Sequence, residues 1–354
     1  MTAQATDASD YLGLARACVS NGDRRAALAA LERVLELEPR NLVALIMKAD
    51  QLAALGDERT ASSFYRAALN LAPDPRQMPA LIRDELARAA AMCERYALRF
   101  ESYLRERLAA GDHLVAGSRF GESLDILAGR RKVYFQEPRQ YFFPGLPQVQ
   151  FYPREAFPWL ARLEEAAADI RAELLQLLEE DAPFKPYIDR SDRRPHIDYA
   201  GLLENPAWSA FYLWKHGELV RESAARCPRT VRALEGVPFA YVRNRSPSVM
   251  FSMLKPGAHI PPHTGETNTR LVCHLPLVVP EECQLRVGNE TRPVVEGKAW
   301  VFDDTIEHEA WNRSRETRVI LLFEVWRPEL SAAERAQVSA MFEAIDAYGA
   351  RSAS

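Results

Sequence analysis

The spacing of apolar residues divides the chain into a helical first part and a β-rich second part. Residues 1–110 carry apolar side chains at the 3.6-residue period of amphipathic helices, and the same period returns at 158–180 and 331–348. The segment 208–226 begins like a strand and ends like a helix. From about residue 238 short runs of β-branched and aromatic residues are bounded by Gly, Pro and Asn, which is typical of strands. The predicted strands are 239–242, 249–255, 271–279, 284–288, 298–302 and 318–326.

The helical part repeats itself with a spacing of 34 residues. Asn21-Gly22-Asp23 recurs as Leu55-Gly56-Asp57, and five further pairs follow at the same spacing: Ala27 and Ala61, Leu31 and Tyr65, Leu35 and Leu69, Leu37 and Leu71, Pro39 and Pro73. This period resembles the tetratricopeptide repeat, a helix–turn–helix unit. We expect the helical stretch 78–109 to cap the two visible units. Two roles stay open for the repeats, a docking surface for a partner or a structural extension that stabilises or dimerises the chain.

Together the two patterns predict a multi-domain α + β protein. A TPR-like helical repeat domain is expected over residues 1–110 and a linker over 111–147, where basic and aromatic residues mix. Six or more short strands after a helical preface predict a cupin-like jelly roll with flanking helices over 148–354.

Composition narrows the possible functions. The 354 residues are 47% hydrophobic and 27% charged, which fits two globular domains. A net charge of −4 gives no basic footprint for nucleic acid. No apolar run approaches the roughly 20 residues of a membrane span, and no secretory signal pattern is visible. Five scattered cysteines without CxxC spacing fit reduced thiols, so we expect a cytoplasmic protein.

Four of the seven histidines lie in the β-rich part and suggest a metal site. His263 lies in a Gly- and Pro-bearing loop between two strands, and His308 follows a strand 45 residues later. Imidazoles from two neighbouring strand ends can hold Fe(II) with open positions for a co-substrate and O₂. The usual third ligand, a carboxylate two residues after the first histidine, is replaced by Gly265. One HxD motif, His196-Ile197-Asp198, occurs in a loop-like stretch, and we interpret it as a decoy while keeping it as an alternative.

Cationic and hydroxyl side chains near these histidines suggest a dicarboxylate pocket. Arg318 begins an apolar strand, where an unpaired charge is costly, and the 5-carboxylate of 2-oxoglutarate would be a planar bidentate partner. Arg270 and His274 are four residues apart and therefore share one face of a strand. Ser252 could add a hydroxyl donor.

The same residues could instead have purely structural roles. A lone jelly-roll histidine is usually a hydrogen-bonded structural residue. Arg318 could pair with Glu307 or Glu309 and have no further role. Asp303 and Asp304 are expected to form a turn or to orient the second histidine rather than to bind metal.

Two long motifs resemble the aspartyl/asparaginyl β-hydroxylase family: HTGETNTRLVCHLPLVVP and FDDTIEHEAW, within a similarity over about 208–330. The resemblance implies a double-stranded β-helix that uses Fe(II), 2-oxoglutarate and O₂. It implies that His263 and His308 are the catalytic metal ligands and that water replaces the carboxylate missing at Gly265. It also implies a 2-oxoglutarate pocket formed by these residues: Trp208, Ser252, Arg270, His274 and Arg318.

The expected activity is therefore hydroxylation of a C–H bond. The first hypothesis is the β-carbon of Asp or Asn in a peptide or protein, docked by the repeats. The alternatives are a lipid acyl chain or a free amino acid as substrate, or a catalytically inert repeat scaffold.

Overall fold

The chain forms two compact units, Met1–Lys132 and Val133–Ser354, in a computed structural model. The structure describes residues 7–72, 78–111, 118–188 and 201–351, with backbone alone for the last three. The division falls inside the segment 111–147 that the sequence suggests as a linker. That segment contains a helix of the first unit and, from residue 133, a stretch of the second unit.

The first unit consists of helices arranged in the order that the 34-residue period predicts. Gly22 and Gly56 have left-handed φ values of +76° and +87° and form the turns within the two helix pairs. Asp23 and Asp57 then cap the second helix of each pair by accepting a backbone N–H three residues on. The helices are α1 (Ala8–Ser20), α2 (Arg24–Leu37), α3 (Leu42–Ala54), α4 (Glu58–Leu71), α5 (Ala80–Ala109) and α6 (Arg119–Leu127).

Two antiparallel sheets form the centre of the second unit, as the jelly-roll prediction requires. The larger sheet has the order β1-β2-β4-β11-β6-β9 with β3 beside β2, and the smaller has the order β5-β10-β7-β8. Their strands are β1 (Lys185–Pro186), β2 (Trp208–Lys215), β3 (Glu218–Leu219), β4 (Val249–Leu254), β5 (His259–His263), β6 (Arg270–Val278), β7 (Cys283–Val287), β8 (Glu290–Pro293), β9 (Trp300–Phe302), β10 (His308–Asn312) and β11 (Arg318–Trp326).

Helices flank the larger sheet on its far side. α7 (Leu160–Glu165) and α8 (Ala167–Glu179) contribute leucines to a core shared with that sheet. Further helices are α9 (Arg221–Arg226), α10 (Pro228–Ala233) and α11 (Ala332–Arg351). The Ser331 hydroxyl accepts the N–H of Glu334, and the Glu334 carboxylate accepts the N–H of Ser331, which confirms the predicted capping box.

Strand β11 shows how the sequence positions the site. Its side chains alternate between the two faces of the sheet, because successive residues of a strand point in opposite directions. Val319, Leu321, Phe323 and Val325 pack into the helix-covered core. The intervening residues line the space between the sheets: Arg318, Ile320, Leu322, Glu324 and Trp326.

Several strand predictions differ from the structure. The stretch 239–242 forms isolated bridges, Phe239 to Val325 and Val242 to Ser246, instead of a strand. Strands β5, β8 and β10 were missed because they are short and rich in Pro, His or charged residues. Within the described residues, no helix has the length and apolar character of a membrane span.

Candidate active site

Two histidines face each other across neighbouring strands of the smaller sheet. β5 and β10 pair antiparallel, and the register places His263 directly opposite His308. Their ring centroids are 4.1 Å apart. His263 is the last residue of its strand and His308 the first of its strand, so both rings lie at one end of the sheet.

Backbone carbonyls fix both rings in the same tautomer. His263 Nδ1 lies 2.8 Å from the carbonyl oxygen of Pro261, and His308 Nδ1 lies 3.1 Å from that of Ile306. A carbonyl can only accept, so each Nδ1 donates and each Nε2 keeps its lone pair. Burial lowers the pKa of both histidines, and for His308 the neighbouring His263 lowers it further. Neutral imidazoles with free Nε2 atoms are the form that binds a metal ion.

A carboxylate lies against Gly265, two residues after His263, although it comes from another part of the chain. The N–H of Gly265 donates to the Asp304 carbonyl at 2.7 Å, and a Cβ at residue 265 would lie 2.0 Å from Asp304 Oδ2. The Asp304 side chain thus fills the space where a residue-265 side chain would stand. Asp304 Oδ1 has no hydrogen-bond partner among the described residues, and burial raises the pKa of Asp304 to about 7. Sequence reasoning missed this placement, although Gly265 was the signal for it.

Among the described residues, no third candidate metal ligand accompanies the two histidines. In the part of the chain that the structure describes, there is no group of three or more His, Cys, Asp or Glu placed to hold a metal ion. His196 and Asp198 lie outside the described residues, so the alternative HxD motif has no structural counterpart here.

Arg318 is a buried cation without an anionic partner. Its side chain lines the cavity between the sheets and is only 2% exposed. No carboxylate of the described residues is within ion-pair distance of it, and its Nε has no hydrogen-bond partner among them. Glu307 and Glu309 are both paired with Arg286 on the outer face of the smaller sheet. The expected alternative, an Arg318 pair with one of these glutamates, is therefore wrong.

Three predicted residues lie on strands beside Arg318. Ser252 on β4 and His274 on β6 are opposite Ile320 and Leu322 of β11. The Trp208 indole Nε1 donates to Ser252 Oγ at 3.1 Å. Burial and the charge of Arg318 lower the pKa of His274 well below its usual range. All of them line one cavity of about 1490 Å³ that also contains His263 and His308.

Tyr187 is a cavity residue that the sequence reasoning did not predict. Tyr187 stacks on Trp208 with ring centroids 4.0 Å apart and forms part of the same wall. The residues around it, FKPYID, carry no motif that would have indicated this position.

Arg270 lines the same cavity but is far along the strand from Arg318. It is opposite Trp326, eight residues along β11 from Arg318, which is about 26 Å of strand. It forms an ion pair of 2.8 Å with Glu324, whose other oxygen accepts the N–H of Ser248. The structure therefore places Arg270 in the same cavity as Arg318 but at the opposite end of β11.

Fold and site together define a cupin-like double sheet that carries two facing histidines and a buried arginine for which the described residues supply no carboxylate partner. Residues 164–328 match the family model "Aspartyl/Asparaginyl beta-hydroxylase", and residues 11–41 match a tetratricopeptide repeat. The chain therefore carries a domain of the aspartyl/asparaginyl β-hydroxylase family behind a tetratricopeptide repeat, and the resemblance inferred from the motifs is confirmed.

Individual relatives show how far the similarity extends. Aspartyl/asparaginyl beta-hydroxylase of Mus musculus is 28% identical over 90% of this chain and 44% of its own length. Ornithine lipid ester-linked acyl 2-hydroxylase of Rhizobium tropici is 35% identical over 53% of this chain and 64% of its own. The chain thus spans less than two thirds of these relatives. Among solved structures, a Cupin 2 conserved barrel protein from Salinispora arenicola covers 43% of this chain at 12% identity and a TM-score of 0.24.

Proposed function

We propose that the protein is an Fe(II)- and 2-oxoglutarate-dependent dioxygenase that hydroxylates a C–H bond. The observation that carries this proposal is Arg318, a buried guanidinium with no carboxylate partner in the described chain, in the same cavity as two neutral histidines. A buried unpaired charge costs several kcal/mol by general estimates, so such a residue favours binding of an anion. The planar 5-carboxylate of 2-oxoglutarate fits its two parallel N–H donors.

The remaining residues fit this assignment. His263 and His308 would hold the iron through Nε2, and Gly265 leaves a ligand position open beside the Asp304 carboxylate. When bound, iron with 2-oxoglutarate and O₂ supplies the oxidising chemistry for C–H hydroxylation, with succinate and CO₂ as co-products. Arg318 and Ser252 would orient the co-substrate carboxylate.

The walls of the cavity would protect this chemistry from water. Trp208 and Tyr187 form a stacked aromatic pair beside the Ser252 hydroxyl, so bulk water is excluded from that side of the pocket. His274 is buried and neutral, and it would complete the polar lining next to Arg318.

The substrate that we propose is an Asp or Asn residue of a peptide or protein, hydroxylated at its β-carbon. Two relatives that align over 90% of this chain are named aspartyl/asparaginyl beta-hydroxylases. The cavity of about 1490 Å³ is far larger than 2-oxoglutarate needs, and its outer part carries the Arg270–Glu324 pair, which can contact a polar substrate group. The repeats would dock the polypeptide. The cytoplasmic location expected from the sequence stays a prediction.

A lipid acyl chain is the second candidate substrate. The Rhizobium tropici relative, 35% identical, is named an acyl 2-hydroxylase. Apolar side chains line the cavity near the histidines and would accept an alkyl chain: Ile260, Leu285 and Ala310. The third hypothesis, an inert scaffold, does not explain why the fold retains a costly unpaired Arg318.

The test is succinate release from 2-oxoglutarate with Fe(II) in air. We compare three additions: a peptide containing Asp or Asn, a hydroxyl-free acyl amide, and buffer. Stimulation by the peptide supports the first substrate and stimulation by the acyl amide supports the second. His308→Ala should abolish release in every arm, because it removes half of the proposed ligand set. Undiminished release by this variant would refute the metal assignment.

A further inference from the structure

A fully buried ion pair lies behind the proposed metal site. Asp303 and Arg327 both have side chains that are 0% exposed, and Arg327 Nη1 donates to Asp303 Oδ2 at 2.9 Å. Neither residue lines the cavity that holds the histidines. Together with Gln136, Asn268 and Tyr152, which hydrogen-bond to them or to each other, they form what we call the polar hub.

Arg327 ties three distant segments together. Its Nη1 also donates to the Asn268 carbonyl at 3.1 Å, and its Nη2 donates to the Pro147 carbonyl at 2.7 Å and to the Tyr152 hydroxyl. Only a guanidinium offers this many donors in a fixed plane, so lysine could not reproduce the contacts.

Asp303 shapes the turn that leads into His308. Its Oδ1 accepts from the backbone N–H of Thr305 at 3.0 Å and from the Thr305 hydroxyl at 2.6 Å. The same turn presents the Ile306 carbonyl that accepts from His308 Nδ1. Asp303 Oδ2 faces the other way and accepts from Gln136 as well as from Arg327. One carboxylate therefore links the ligand-bearing turn to the hub.

A segment that precedes the sheets fastens both histidine loops. We call residues 136–143 the strap. Its Glu137 N–H donates to the Thr305 carbonyl at 2.8 Å, and its Arg139 N–H donates to the Gly265 carbonyl at 2.9 Å. The Asn268 side chain bonds both the N–H and the carbonyl of Phe143 in the strap. The strap thus holds the loop after His263 and the turn before His308 at a fixed separation.

We infer that Asp303 and Arg327 are positioning residues for the two-histidine centre, acting through the hub and the strap. The identity of that centre rests on the proposed function. A buried ion pair is a poor source of net stability, since apolar replacements are often neutral or stabilising. A pair that connects the two histidine-bearing segments instead fixes the separation of the histidine rings. A metal site needs its ligands positioned to within about 0.5 Å.

The test compares Asp303→Asn with Glu173→Gln, using Co(II) in place of iron and the full chain. Glu173 is a matched control, because it is 4% exposed and its carboxylate accepts three hydrogen bonds from Arg229 and Thr230 away from the cavity. Both variants should lower Tm. Only Asp303→Asn should weaken Co(II) affinity, by about 10- to 100-fold, and change the visible Co(II) spectrum.

Equal losses of Tm with unchanged Co(II) affinity and spectrum in both variants would overturn the inference and leave the hub a purely structural element. Arg327→Lys is the second variant if Asp303→Asn does not fold, and the same shift of affinity is expected from it. His308→Ala separates the two proposals. If the wild-type protein binds Co(II) no better than His308→Ala, the metal assignment itself fails, whatever the hub variants do.

Discussion

Replacing Arg318 with methionine should raise the stability of the protein without ligand and abolish binding of 2-oxoglutarate. Burial lowers the pKa of this guanidinium to about 10, compared with 12.5 for a solvated group. Arginine stays charged at neutral pH, so a pKa lowered by this much corresponds to a cost of about 3 kcal/mol for burying the charge. Methionine has a similar length and no charge, and Arg318→Met should therefore increase the free energy of unfolding by up to about 3 kcal/mol.

Binding should change in the opposite direction. Loss of a charge-assisted bidentate pair in a buried site costs about 3 kcal/mol or more, which corresponds to an affinity at least about 100-fold weaker. The free energy of unfolding is measured by urea titration without ligand. Binding of 2-oxoglutarate is measured by calorimetry with Mn(II) in place of iron.

The matched control is Arg286→Met. Arg286 is paired with Glu307 and Glu309 on the outer face of the smaller sheet, so its loss should destabilise the protein and leave binding of 2-oxoglutarate unchanged. If Arg318→Met destabilises the protein and still binds 2-oxoglutarate like the wild type, then Arg318 is a structural residue and the reasoning is wrong.

Three further outcomes are expected. Gly265→Ala places a Cβ 2.0 Å from Asp304 Oδ2, so this variant should lower Tm and weaken metal binding. Adding Asp304→Gly removes the clash and should restore Tm. An unchanged Tm for Gly265→Ala alone would contradict the geometry. Burial lowers the pKa of His274 in the folded protein, so below about pH 6.5 this histidine is protonated in the unfolded chain but not in the folded one. The free energy of unfolding should therefore fall by up to about 1.4 kcal/mol per pH unit as the pH drops further. His274→Gln should make that slope shallower in urea titrations without metal between pH 7 and 5, and an equal slope argues against a neutral His274. Removal of Met1–Lys132 should leave succinate release intact while peptide turnover falls, and equal peptide turnover would show that the repeats dock no substrate.

The sequence predicted the fold class well because both parts of the chain carry regular patterns. The 34-residue spacing and the turns at Gly22 and Gly56 depend on local backbone geometry, which the residues themselves specify. Two of the missed strands, β5 and β10, carry the two histidines. Histidine, proline or charged residues interrupt the alternating apolar pattern in both strands. The sequence signal for a strand was therefore weak at the residues of the candidate site.

The sequence predicted which residues belong to the candidate site better than it predicted their relative positions. His263, His308, Ser252, His274 and Trp208 do share one cavity. Arg270 lines the same cavity, but the sequence does not state the register between β6 and β11, which places it eight residues along β11 from Arg318. The polar hub could not be predicted from the sequence either. It joins residues as distant in the chain as Gln136 and Arg327, which only long-range packing brings together.

Strand β11 has a consequence for how this site can change. Apolar core residues and cavity-lining residues alternate along it. A shift of one residue in register would therefore turn Arg318 and Glu324 towards the helices and turn the core side chains into the cavity. Arg318, the proposed anchor for the co-substrate, and Glu324, which pairs with Arg270, therefore have their positions set by the register of one strand. A variant can exchange individual side chains of β11, but it cannot shift the register of the strand without disrupting the hydrophobic core as well.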